Sequence, residues 1–314
     1  MTTARPPRPL TRPRRLRPGD RVAVVAPSGP VPADRLARGC DLLRSWGLAV
    51  EVAPHALDTH PRLPHLAGTD ADRAGDLQRA WLDPGIAAVV CARGGYGVQR
   101  LLDLLDWPAL AEAPPKVLVG HSDITALHRA VAHRLGLASL HGPMAASEAL
   151  LTDPATAEHL RRTLFEPETV RTLTAPTAET LVPGRARGVT AGGCATLLAA
   201  ECGTQGSGPL PPGTILLLED VGEALYRLDR VLTQLLRSGQ LAQVAGIALG
   251  SWTGCGPADP VRELMLDRLG PLGVPIVREL GFGHGPSTLT VPLGADAVLD
   301  ADAATLTLTA PALR

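Results

Sequence analysis

The sequence predicts an α/β protein, with an N-terminal domain built on a parallel sheet and a smaller C-terminal α/β domain. Three observations carry this. Short β-branched runs alternate with segments whose apolar residues recur at helical spacing. The runs are apolar throughout, as in strands buried on both faces. A chain of 314 residues is long enough for two medium domains.

The opening, MTTARPPRPLTRPRRLRP, is rich in Arg and Pro, and residues 1–18 are expected to form a disordered tail. RVAVVAPSG then predicts a strand ending in a turn, and Arg35 to Gly47 a helix closed by its glycine. LAVEVAP is a second strand, and residues 55–68 lack any period and form a loop. A helix over 71–83, stopped by Pro84, leads into the strand IAAVVC and the turn RGGYG. KVLVG is a further strand, and ITALHRAVAHRLG its following helix. Repeated βα units of this kind pack as a parallel sheet, whose ligands gather at the carboxyl ends of the strands. Three such ends are PSGP, RGGYG and GHSD, and the domain they define spans 19–147. Residues 148–184, with one short helix and many Pro and Thr, predict an interdomain connection. The remaining 185–314 hold strands at GTILLLED, AGIALGSW and AVLDADAATLTLTA, and helices at 224–239 and 259–270.

Composition narrows the function. A net charge of -1 offers no field for nucleic acid or an anionic membrane, so neither partner is expected. The five cysteines form no C-x-x-C pair, which predicts neither a disulfide framework nor a zinc site. There is no H-E-x-x-H, so metal-dependent hydrolysis is not expected. The longest early apolar run, Val22 to Ala26, is too short for a signal sequence, and no stretch approaches the ~20 apolar residues of a membrane span, so a cytoplasmic protein is expected.

The stretch Lys116 to Thr125 carries the chemistry, because it delivers Ser122 from a strand to the mouth of a helix. There a hydroxyl is presented beside backbone N–H groups and the positive end of a helix dipole, which suits acyl transfer. Ser followed by Asp is also the pattern of an ordinary N-cap, and Ile124 replaces the second glycine of the G-x-S-x-G elbow. A serine nucleophile needs a base and a group to orient that base. Glu219 ends the strand run GTILLLE, and His284 lies in the glycine-rich GFGHGPS; Ser, Glu, His is an order known for triads. Glu223 is near enough in sequence to take the place of Glu219, although the strand end favours the latter. His121 adjoins the serine, but neighbouring side chains at a turn usually diverge. RGGYG does not match a dinucleotide loop and is better suited to donating backbone N–H groups to an oxyanion. Arg93, with Gly94 and Tyr96 of the same loop, is the candidate substrate contact, Arg93 for a free carboxylate.

GDRVAVVAPSGP, ARGGYG with GHSDIT, LLLEDVGEALYRLDR, and GFGHG before TVPLG occur together in this order. From about Pro18 to Leu299 the chain resembles the LD-carboxypeptidases, or murein tetrapeptide carboxypeptidases, a serine peptidase family that includes the microcin-immunity peptidases. The resemblance implies a triad of Ser122, Glu219 and His284, with oxyanion donors at the amides of Gly95 and Asp123. It also implies an N-terminal domain like class I glutamine amidotransferases, a homodimer, no metal or cofactor, and a cytoplasmic muropeptide tetrapeptide that loses its terminal D-Ala in cell-wall recycling. Where family members often read GGNL this chain has Gly192, Gly193, Cys194 and Ala195. The competing expectations are a microcin-immunity-type peptidase acting on a peptidyl-nucleotide toxin, and a non-catalytic muropeptide-binding protein. The toxin reading needs aromatic stacking surface, and aromatic residues make up only 3% of the chain.

Overall fold

A computed structural model describes residues 8–204 and 209–314 of the chain. The strands are β1 (Arg21–Val25), β2 (Ala49–Val52), β3 (Ile86–Cys91), β4 (Val117–Gly120), β5 (Ser139–His141), β6 (Thr172–Leu173), β7 (Glu179–Val182), β8 (Arg185–Cys194), β9 (Thr214–Val221), β10 (Gly246–Thr253), β11 (Ile276–Arg278), β12 (Val291–Leu293), β13 (Asp296–Asp300) and β14 (Thr305–Leu308). The α-helices are α1 (Ala33–Ser45), α2 (Asp70–Leu82), α3 (Trp107–Glu112), α4 (Thr125–Leu135), α5 (Glu148–Thr152), α6 (Pro154–Phe165), α7 (Ala195–Ala200), α8 (Leu225–Arg237) and α9 (Ala258–Leu269). Among the described residues no helix is long and apolar enough to cross a membrane.

The first sheet has the order β12-β5-β4-β3-β1-β2, parallel except for β12, which runs antiparallel to β5. The second has the order β6-β14-β13-β8-β9-β10-β11-β7, with a parallel centre from β8 to β11 and antiparallel strands on both sides. Its eight strands against six correct the expectation that the C-terminal sheet domain is the smaller. The run TILLLEDV forms β9 at the centre of this sheet, and Ile215 to Leu218 are fully buried because both faces are covered. Leu216 and Leu218 face the cluster under α7, α8 and α9, where Leu228 and Leu232 also lie. Ile215 and Leu217 face the other way, into a cluster that includes Val22, Val24 and Val90 of the first sheet. The two sheets therefore share one core.

Three further expectations change. The segment 8–18 is not a disordered tail: the Leu10 N–H donates to the Gly294 carbonyl at 2.8 Å, Thr11 bridges to Leu137, and Leu16 is buried with its N–H on Leu164. Its regular backbone partners and one apolar anchor outweigh a composition that suggests disorder; residues 1–7 lie outside the described residues. The stretch 148–184 is more than a connection, since it holds two helices, α5 and α6, and the strands β6 and β7. The final apolar stretch is a hairpin, β13 and β14, folded at Ala301 to Ala304, where Ala304 turns left-handed.

Candidate active site

Strand β4 ends at Gly120, His121 follows extended (φ -150°), and Ser122 then turns left-handed (φ 64°) before α4 begins. A non-glycine residue in that region costs about 1–3 kcal/mol and persists only where the surroundings impose it. Here β4 must feed straight into a helix, and the strain lifts the serine out of the strand line, as in a nucleophile elbow. The room for it comes from another strand end. A Cβ placed on Gly94 would lie 2.9 Å from that of Ser122, so the turn after β3 must carry a glycine there. Ile124, where the common elbow has its second glycine, packs over Gly120, on which a Cβ would lie 2.9 Å from the Ile124 side chain.

The three strand ends read from sequence are tied into one unit. The buried Asp123 carboxylate accepts from the Ser28 hydroxyl at 2.6 Å and from the Val98 N–H at 2.9 Å, joining the PSGP and RGGYG turns to the serine turn. Burial pushes its pKa up, and the two donors oppose that. Arg73, also buried, donates to the Pro27 and Gly97 carbonyls and pairs with Asp70. Gly95 adopts a positive φ of 111°, and among the described residues its N–H donates to no protein acceptor.

Glu219, two residues before the end of β9, is fully buried, and its Oε2 meets His284 Nδ1 at 2.6 Å. Burial alone would raise the carboxyl pKa; the imidazoles of His141 and His284 outweigh it and hold the group well below the usual carboxylate range. His284 is pulled down by burial and raised further by the hydrogen bond to Glu219, ending above its ordinary value. The hydrogen bond to a carboxylate keeps the proton on Nδ1 and leaves Nε2 as the basic nitrogen. His121 does not diverge from the site as its position suggests: its ring lies edge-on to that of His284, centroids 4.8 Å apart. Its Nδ1 bonds the Gly142 carbonyl, and burial, with the neighbouring histidines, pushes its pKa down to about 3. It is a neutral wall of the site.

Glu219 is thus the carboxylate brought to His284, whereas Glu223 lies in the turn before α8, facing Arg227. Arg93 is exposed and donates to the Pro30 carbonyl at 2.6 Å, on the rim of the same corner. Tyr96 is exposed, its ring 5.8 Å from that of His65. Cys194, where the family often has Asn, is buried with Sγ 3.5 Å from Asp220 Oδ1, and its N–H is bonded by Thr125 Oγ1. Sequence reasoning missed Ser28, Arg73 and His141. His141 ends β5 at the same carboxyl edge as the other groups, a position that marks it once the strand is recognised. Among the described residues no group of three or more His, Cys, Asp or Glu is arranged to hold a metal ion.

The model of the LD-carboxypeptidase N-terminal domain matches residues 22–142, and that of the LD-carboxypeptidase C-terminal domain residues 187–299. A putative carboxypeptidase of Streptomyces coelicolor is 62% identical, over 98% of this chain and 98% of its own. A murein tetrapeptide carboxypeptidase of Pseudomonas aeruginosa is 37% identical, over 89% and 93%. The crystal structure of a muramoyltetrapeptide carboxypeptidase from Oxalobacter formigenes, 31% identical, superposes with a TM-score of 0.79 over 92% of this chain and 97% of that one. The structure of MccF in complex with glutamyl sulfamoyl guanosine shares the fold, at TM-score 0.86 and 21% identity over 96% and 99%.

Proposed function

Because the chain belongs to the LD-carboxypeptidase family, we propose that it is a serine carboxypeptidase that removes the terminal D-Ala from muropeptide tetrapeptides. The observation that carries the reading is the 2.6 Å bond between a buried Glu219 and His284, set in ring contact with the residue that precedes a strained Ser122. In this reading His284 Nε2 takes the proton from Ser122 Oγ, which attacks the carbonyl of the L-centre. Glu219 holds the Nδ1 proton and steadies the imidazolium as it forms. The N–H groups of Gly95 and Asp123 receive the developing oxyanion. Protonated His284 then gives its proton to the departing amine of D-Ala, and water hydrolyses the acyl-enzyme by the reverse relay. Arg93, Gly94 and Tyr96 rim the entrance, and Arg93 is the cation available to the substrate's free carboxylate once it leaves Pro30.

The relatives named for murein peptides support this substrate class, and a role in cytoplasmic cell-wall recycling as a homodimer, without metal or cofactor, completes the proposal. The serine turn between parallel strand and helix supports the likeness of the N-terminal half to class I glutamine amidotransferases. The test is mass spectrometry of a tetrapeptide incubated with the protein, with Ser122→Ala and with a chelator. Wild type should release one D-Ala whether or not chelator is present, and Ser122→Ala should lose on the order of 10⁶ in turnover. Equal turnover by Ser122→Ala would overturn the serine mechanism. A folded wild type that leaves the tetrapeptide intact would turn the assay to peptidyl-nucleotide substrates, and binding without any cleavage would indicate a muropeptide-binding protein.

A further inference from the structure

We propose that His141 is a positioning residue for Glu219, holding the carboxylate oxygen that His284 leaves free. The proposal rests on the reading of Ser122, Glu219 and His284 as a catalytic unit.

Glu219 is fully buried, and only its Oε2 is engaged, by His284. Its Oε1 has no hydrogen-bond partner among the described residues, and neither ring nitrogen of His141, itself 1% exposed, has one. These unpaired atoms face one another, His141 Nε2 lying 3.6 Å from Glu219 Oε1. Leaving either a buried carboxylate oxygen or a buried imidazole N–H unpaired is costly, and a shift of a few tenths of an ångström satisfies both. The geometry leaves that shift to the carboxylate. His141 is the last residue of β5, with its backbone paired to Gly120 on one side and Val291 on the other. Its ring is packed edge-on to Phe282 at 5.7 Å and against His121 at 5.7 Å. Glu219 by contrast reaches its position through three side-chain torsions, the last of which turns the carboxylate plane.

The consequence is a carboxylate gripped at both oxygens, by one histidine from each sheet's set of loops and strands. A carboxylate held only at Oε2 can rotate about its last torsion and take the Nδ1 proton of His284 out of line. A donor at Oε1 fixes the plane, keeps Oε2 on Nδ1 and so keeps Nε2 directed at the serine. His141 touches neither substrate nor the reacting atoms, and acts through Glu219.

The experiment compares His141→Gln, whose amide still donates, with His141→Phe, which keeps ring packing against Phe282 but has no donor. His141→Met stands in if the Phe variant does not fold. Two readouts are taken: kcat and KM on the tetrapeptide, and the downfield proton resonance of the His284 Nδ1–H held by Glu219. The apolar variant is expected to lose on the order of 10- to 100-fold in kcat, by analogy with the outer partners of metal-bound histidines. KM should stay within about twofold, since the effect lies in orientation rather than uniform binding. The Nδ1–H resonance should shift or broaden, and His141→Gln should restore most of kcat and the signal. Wild-type kcat with an unmoved resonance in the apolar variant would overturn the proposal. So would a Gln variant as impaired as the apolar one, because the loss would then come from packing rather than donation. If wild type cleaves no tetrapeptide, the muropeptide reading fails separately, and the resonance still reports whether His141 holds Glu219.

Discussion

At Ser122 the backbone is strained by its left-handed turn, and the neighbours are arranged so that the strain is held: Asp123 is fixed by Ser28 and Val98, and Gly94 leaves the space. In the proposed mechanism the serine hydroxyl relies on His284 as its base. Because Glu219 raises the pKa of His284 above its usual 6.5, more alkaline conditions are needed to present the neutral base. The acid limb of kcat/KM should therefore lie above pH 6.5, and Glu219→Gln should move it to lower pH while turnover falls. A limb unmoved in Glu219→Gln would separate Glu219 from the base. Ser122, Glu219 and His284 could be picked out in the sequence because each ends a strand or sits among glycines. His141 was missed because the strand that presents it, SLH, is three residues long and shows no period of its own.

Among the elements, α6 reaches furthest beyond its sequence signal. Asp153 caps it, accepting from the Ala155 and Thr156 N–H groups, and Thr156 Oγ1 in turn accepts the Thr288 N–H at 2.8 Å. One turn on, His159 Nδ1 accepts the Thr290 N–H at 3.1 Å. The helix thus braces the glycine-rich loop that carries His284. Asp153→Ala should cost about 1 kcal/mol in a denaturant titration, the usual worth of an N-cap, and turnover should fall with it as the loop loosens. A loss of stability at unchanged turnover would show that the loop holds its shape without the first turn of α6. Helices such as α2 and α8 were legible because their apolar residues fall on one face: Leu228, Leu232 and Leu235 are all buried. Strand β8 was not, since RARGVTAGGC has too many glycines for a strand pattern. Those glycines answer to the neighbouring strand: a Cβ on Gly192 would fall 2.0 Å from the Leu217 carbonyl oxygen, a contact that exists only once β8 lies beside β9.

Across the molecule, the shared core between the two sheets and the histidines buried near it tie stability to pH. Burial pushes His121 and His128 down to about 3 and His159 to about 4. Each folded-state pKa lies below the unfolded value of 6.5, so the unfolded chain binds more protons as pH falls. The contribution is complete above about pH 6.5 and is lost below it, at up to ~1.4 kcal/mol per pH unit for each histidine. His284 acts in the opposite sense, its contribution present below 6.5 and lost as pH rises past its raised pKa, while Glu219 matters only below the usual carboxylate range. His55, raised by its hydrogen bond to Asp76, acts in the same sense as His284 but is solvent-accessible. The three buried neutral rings outweigh the two, so Tm should fall between pH 7 and pH 5 and His128→Gln should flatten the fall; a Tm unchanged over that interval would contradict burial of the neutral rings. By itself the sequence determined the α/β class, the main parallel strands and the candidate Ser, Glu and His, because these are written in local apolar period and in the punctuation of strand ends. Tertiary structure alone decided that β12 returns from the C-terminal half to pair with β5, that residues 8–18 are packed in place, and that His141 faces Glu219. Those are contacts between segments far apart in the chain, fixed by shared burial and backbone pairing, and no local pattern records them.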